Sequence, residues 1–177
     1  MSLKKNYELM SSYNQWINES IYQAASKLNS AQRDKDCGAF FGSVTGTLNH
    51  IIVGDIIWLK RFSMHQENFN SLDYVRDLEV PNALDTIIYP DFNELKLARV
   101  KMDGVIVDFT NELTDYVICS SLTYKNTRNK LFTKKLGFLL QHLFNHQTHH
   151  RGQVTTLISQ YGIDVGATDL LLCIPNE

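Results

Sequence analysis

The stretch HLFNHQTHHRGQ, residues 142–153, holds four of the chain's six histidines. Around it Leu136, Leu140, Leu143, Gln147, His150, Val154, Leu157 and Tyr161 step by three or four positions, the apolar row of an amphipathic helix. Thr133 is placed to cap its start, and Gly162 can take the left-handed conformation that stops it. The histidines therefore lie on a helix, and the rest of the chain must supply what packs against it.

Three more segments carry the same period. Tyr7, Met10, Tyr13, Ile17, Ile21, Ala24 and Leu28 predict a first helix over residues 4–28. Phe41, Val44, Leu48, Ile51, Asp55, Trp58 and Phe62 predict a second over 38–62, with one polar member in its row. The third opens after Pro90, where Asp91 and Glu94 have capping-box spacing, and Phe92, Leu95, Met102, Val105, Phe109, Leu113 and Tyr116 line one face. Residues 63–90 are polar, contain Pro81 and show no sustained period, so they read as a long connection. Between the third and fourth helices, VICSSLTYKNTRNKLFT (117–133) has β-branched residues around a polar centre and reads as a short hairpin or an irregular arm. The expected fold is all-α: a four-helix bundle with a long crossover, in which residues 1–177 form a single domain.

Composition narrows the setting. A hydrophobic content of 44% fills one core, and no apolar run is long enough for a membrane span. MSLKKNYELM lacks the apolar region of a secretion signal, and Cys37, Cys119 and Cys173 form no CxxC pair. The expectation is a cytoplasmic protein with no membrane partner, reduced thiols and no cysteine-ligated zinc. Between Asp115 and Asp164 there is no acidic residue, while Lys125, Arg128, Lys130, Lys134, Lys135 and Arg151 fall inside that window. Such a run reads as a solvated basic face or as a surface that attracts an anionic small molecule. No helix-turn-helix or aromatic-basic platform accompanies it and the whole chain carries −2, so no nucleic-acid partner is expected.

On a helix, residues four apart share a face, so His142, His146 and His150 form a row while His149 points about 60° away from His146. Two imidazoles at i and i+4 can hold one metal ion, but His142 and His150 are about 12 Å apart along the axis and cannot share one. That leaves His142 with His146 or His146 with His150, and the inner apolar row favours the second pair. A third ligand has to come from another helix. His50 is the only histidine in the first two, and Ser43, Gly46, Thr47 and Gly54 lie on its face. Small residues there either leave room for an ion or let two helices approach. His65, in the polar connection, reads as solvated.

LNHIIVGDIIWLKRF and HLFNHQTHHRGQVTTLISQYG resemble the two signature stretches of the DinB/YfiT-like family of helical metalloproteins, and YNQWINESIYQAASKL and GAFFGSVTGTLNH are similar to its first helix and the approach to its second. The resemblance spans nearly the whole chain. It implies an up-down-down-up four-helix bundle in which His50, His146 and His150 ligate a divalent metal, leaving His142 and His149 outside. Zinc is the first choice, with nickel, iron, copper or manganese as alternatives.

That family includes bacillithiol S-transferases and a mycothiol-dependent isomerase, so the resemblance implies a low-molecular-weight thiol as co-substrate, a small-molecule electrophile, a role in stress or detoxification, and a homodimer. Arg151 is a weak candidate anchor for an anionic thiol. Alternatives are a metal-dependent hydrolase and a non-catalytic metal-binding stress protein. For hydrolysis of the HExxH kind, the glutamate position is Gln147, which cannot act as a base, and Asp55 points about 140° away from His50.

Overall fold

The computed structural model describes residues 2–176 and is mostly helical, with one small two-stranded sheet. Its long helices are α1 (Leu3–Ser26), α3 (Val44–Phe62), α5 (Phe92–Glu112) and α7 (Leu136–Ser159). Three begin at side-chain caps: Ser2 accepts from Lys5 N, Ser43 from Gly46 N, and Asp91 from Asn93 N and Glu94 N. Helix α1 packs on α5 and α7, and α3 packs on α7 and α5. Between them lie Ile17, Ile21, Leu48, Ile52, Leu95, Ile106, Leu140 and Val154, all fully buried. Each such side chain contributes about 1.5–3 kcal/mol, so apolar burial dominates the stability.

Several expected boundaries shift. The second long helix starts at Val44 rather than 38, because Gly38 and Gly42 have φ of 70° and 71° and fold residues 38–43 into a tight turn bridged from Ala39 to Gly42. The first helix stops at Ser26, and Asn29 with Gln32 builds a capping box for a separate short helix, α2 (Ser30–Asp34). The third ends at Glu112, short of Tyr116, since Leu113 is extended and Thr114 caps a new one-turn helix, α6 (Asp115–Ile118). Thr133 is not a cap: it lies in β2, and its hydroxyl meets that of Thr123 at 2.8 Å. Helix α7 starts three residues later, its Leu136 N bonded to Ser120 O.

The hairpin is present, with β1 (Ser121–Lys125) antiparallel to β2 (Leu131–Lys135), Tyr124 opposite Phe132, and Asn129 turning the chain at φ 59°. The 63–90 connection carries a 3₁₀ turn at Asn70–Leu72 and the short helix α4 (Asp73–Asp77), pinned by buried Phe69, Leu72 and Val75. No helix among the described residues is long and apolar enough to cross a membrane.

At the centre of the core sits a charged cluster contributed by all four long helices. Arg99 of α5 donates to Asp55 of α3 at 2.5 Å and lies 3.0 Å from Asp103. Asn18 of α1 donates to Asp103 at 2.9 Å, and Gln147 of α7 donates to both Asp55 oxygens at 2.8 and 2.9 Å. Burial opposes the Arg99 charge, but the Asp103 and Asp55 carboxylates outweigh it and hold its pKa above the ordinary value. Arg151 belongs here too. It is buried, donates to Asn14 and to Gln147 Oε1, and is therefore an internal strut, not an anchor for an anionic thiol.

Candidate metal centre

Helices α3 and α7 pack side by side and bring three imidazoles together. The ligand-capable nitrogens of His50, His146 and His150 all lie within 4.8 Å of one another. His50 Nε2 is 3.0 Å from His146 Nε2 and 3.1 Å from His150 Nε2. Of the two helix-four pairs that spacing allows, the tertiary structure joins 146 with 150. His142 is exposed and stacks edge-on against Trp58, with ring centres 4.8 Å apart, and His149 is exposed beside His150. His65 differs from expectation: it is buried, its Nε2 shares a 2.7 Å hydrogen bond with Ser120 Oγ, and its Nδ1 accepts from Glu67 N.

Close approach of the two helices depends on one residue. A Cβ at Gly54 would fall 2.6 Å from His146 Cε1, so only glycine leaves space for that ring against α3. Gly46, on the same face by spacing, does a different job, because its Cβ would meet Phe41 O at 2.1 Å where the 38–43 turn folds back. Of the two readings of the small residues, Gly54 answers to the imidazole and Gly46 to a backbone crossing.

Hydrogen bonds at the far ring nitrogens fix what the near ones can do. His50 Nδ1 lies 2.7 Å from Leu84 O, a group that only accepts, so the proton sits on Nδ1 and Nε2 presents a lone pair. His150 Nδ1 donates in the same way to Gln153 Oε1 at 2.8 Å. Two bare nitrogens 3.1 Å apart repel each other unless a cation lies between them. Ligands of one tetrahedral zinc are separated by about 3.3 Å, given Zn–N bonds of about 2.0–2.1 Å. The donor set therefore fits a divalent ion, with outer partners of the kind that orient metal-bound histidines.

Burial keeps the rings neutral. It is the main cause that pushes His146 down to about 3, with His150 and His50 adding to it, and it also holds His50 and His150 below 6.5. An unfolded imidazole takes up a proton near pH 6.5, whereas folded His146 does not until far lower. The stability linked to this group is present above pH 6.5 and drains away as pH falls towards the folded value. Metal-free protein should lose on the order of 2 kcal/mol between pH 7 and pH 5 through His146. Urea unfolding at the two pH values measures it, and an equal loss in His146→Gln would remove this histidine as the cause.

Parts of the site lie outside the histidine pattern. Phe41, in the turn before α3, stacks on the His50 ring at 3.6 Å with planes 16° apart and forms one wall. Asn49 fastens the end of the crossover, accepting from Ile88 N and Tyr89 N and donating to Tyr89 O, and so holds the approach to α5 beside His50. Gln153 was missed by the sequence reading, although its i+3 spacing to His150 was the signal that could have found it. The carbonyl of Leu84 had no such signal, since any residue carries one. Among the described residues, no carboxylate joins the cluster.

This arrangement, a helical fold with three convergent imidazoles from two helices, matches the class of protein that the sequence resembled. The family model described as DinB family matches residues 1–176, and the chain belongs to the DinB family. Protein DinB from Bacillus subtilis (strain 168) is 22% identical over 157 residues, covering 89% of this chain and 87% of that protein. The crystal structure of a DinB-like protein from Bacillus cereus ATCC 10987 superimposes with a TM-score of 0.61 at 19% identity, covering 88% of this chain and 91% of the other.

Proposed function

We propose that this protein is a divalent-metal enzyme in which His50, His146 and His150 each give one Nε2 to the ion, zinc first and nickel, iron or manganese next, and that it acts on a low-molecular-weight thiol. The observation that carries the reading is the convergence of three neutral imidazole nitrogens, two of them with tautomers fixed by oxygens. Three protein ligands leave a coordination position for a small molecule, as catalytic sites do. When bound, the ion supplies the charge that keeps a coordinating thiol deprotonated, so no protein nucleophile is needed. The chain's own part is to orient. Leu84 O and Gln153 hold two rings in plane, Phe41 shields one side, and the electrophile accepts the thiolate sulphur while its leaving group departs with the electron pair.

Hydrolysis has less support, because Gln147 is bound to Asp55, and the Asp55 carboxylate is occupied by Arg99 and Gln147 in the core. The packing of α1 and α3 each against α5 and α7 supports an up-down-down-up four-helix bundle forming one domain over residues 1–177. A cytoplasmic homodimer with a role in stress or detoxification completes the proposal.

Elemental analysis of untagged protein tests it. Wild type and His149→Ala should hold close to one metal per chain, and His50→Ala and His146→Ala little. Equal losses in His146→Ala and His149→Ala would overturn the ligand assignment. Thiol transfer that continued after the metal was stripped would overturn the reaction.

A further inference from the structure

A cleft of about 520 Å³ opens where the C-terminal half of α3 faces the 76–82 segment and the turn of the hairpin. Its charged lining is Lys60, Arg61, Arg76 and Lys125, with Ile57, Met64, Val80 and Pro81 as apolar wall, and no carboxylate among the described residues lines it. Two of the four cations are committed elsewhere. Lys60 is tied by its ammonium to the carbonyls of Val75, Arg76 and Leu78, and Arg76 pairs with Asp73. The Lys60 bonds fix its position but leave its charge without a counter-ion among the described residues.

Arg61 is the unusual member. Its guanidinium lies 4.5 Å over the Trp58 ring and 5.1 Å from the Tyr124 ring, and no ion pair engages it among the described residues. Stacking fixes the plane of the group and leaves its edge, with the N–H fork, for two oxygens of a carboxylate or phosphate. Burial holds its pKa below the usual value, the mark of a cation short of a partner. Lys125 approaches from β1 on the other wall. The Trp58 ring under Arg61 also touches His142, whose ring centre is 6.2 Å from that of His146, so ring contacts link Arg61 to the histidine cluster although none of these rings lines the cleft.

We infer that this cleft is a binding site for a small oxyanion, a carboxylate- or phosphate-bearing molecule, with Arg61 as the bidentate contact and Lys125 as the second charge. The inference goes beyond the metal reading and does not depend on it. It gives the basic window a role at Lys125, the place that Arg151 does not fill.

The test uses full-length protein carrying His146→Ala, so that no metal competes for the anion, titrated calorimetrically with pyrophosphate and separately with citrate at low salt. Saturable one-to-one binding of at least one probe is expected, and which of the two binds separates phosphate from carboxylate chemistry. Arg61→Gln should weaken it about tenfold or more, as loss of a charged hydrogen bond does. Lys125→Gln, on the hairpin and of little risk to folding, should weaken it several-fold, and Lys134→Gln, outside the cleft, should not change it. No saturable binding, or equal weakening by Lys134→Gln, would overturn the site, as would affinity for an oligonucleotide that keeps rising with its length. Binding that persists while wild type holds no metal would sink the metal proposal and leave this one standing.

Discussion

Asp55→Ala should destabilise the protein by about 3–5 kcal/mol and lower its melting temperature by about 10 °C. The carboxylate is fully buried, 2.5 Å from Arg99, and accepts from Gln147. Removing it strands the Arg99 guanidinium, also buried, with Asp103 as its remaining counter-ion, and leaves the Gln147 amide without an acceptor. Both losses fall in a region that water does not reach, so nothing replaces the missing oxygens. The control is Lys5→Ala. Lys5 and Glu8 are only 2.7 Å apart, yet Lys5 is largely exposed, and loss of such a pair costs well under about 1 kcal/mol. Thermal unfolding of the two variants decides whether burial or distance sets the energy. A loss in Asp55→Ala no larger than in Lys5→Ala would mean that the cluster does not hold the core.

The second large effect is on metal affinity. Gly54→Ala should weaken metal binding by about 10- to 100-fold while the chain stays folded, a loss of the size seen when the groups that orient metal ligands are disturbed. Two opposing terms act at this position. Within a helix, alanine is favoured over glycine by up to about 1 kcal/mol. Against that, the new methyl would sit 2.6 Å from His146 Cε1, too close for any carbon pair, and the ring is flanked by those of His50 and His150. The side chain has to rotate, and its Nε2 leaves the other two. Gly104→Ala is the matched control, because a Cβ there meets nothing within 4 Å. It should stabilise slightly and keep its metal. Competition with a chromophoric chelator reads both, and unchanged affinity in Gly54→Ala would show that His146 is not held against α3 as described.

How the fold reads from sequence is clearest at the four long helices. Their apolar residues recur every three or four positions, and that period is a local property that survives whatever the partner is. The stop signals were less legible. Gly38 and Gly42 fall inside a run with helical spacing, and only their left-handed backbone shows that the chain turns there. Thr133 carries a good capping side chain, but pairing with Thr123 across the hairpin offers the backbone more hydrogen bonds than a helix start would. His65 looked solvated because its neighbours in sequence are polar, whereas Ser120, 55 positions away, buries it.

By itself, the sequence determined the helices, the family resemblance and the row that puts His146 and His150 on one face, because all of these depend on spacing along one backbone. It left open which pair meets a third histidine, what Gly54 is for, and where the unpaired basic groups lie. Only the tertiary structure decided that His50 reaches 146 and 150, that Arg151 turns inward while Arg61 stacks on Trp58 with no ion pair among the described residues, and that Asp55 serves the core. Each of those depends on which helix faces which, at separations of up to 137 residues between partners such as Asn14 and Arg151. Contact across such a gap is fixed by burial and charge pairing in three dimensions, and no local period encodes it.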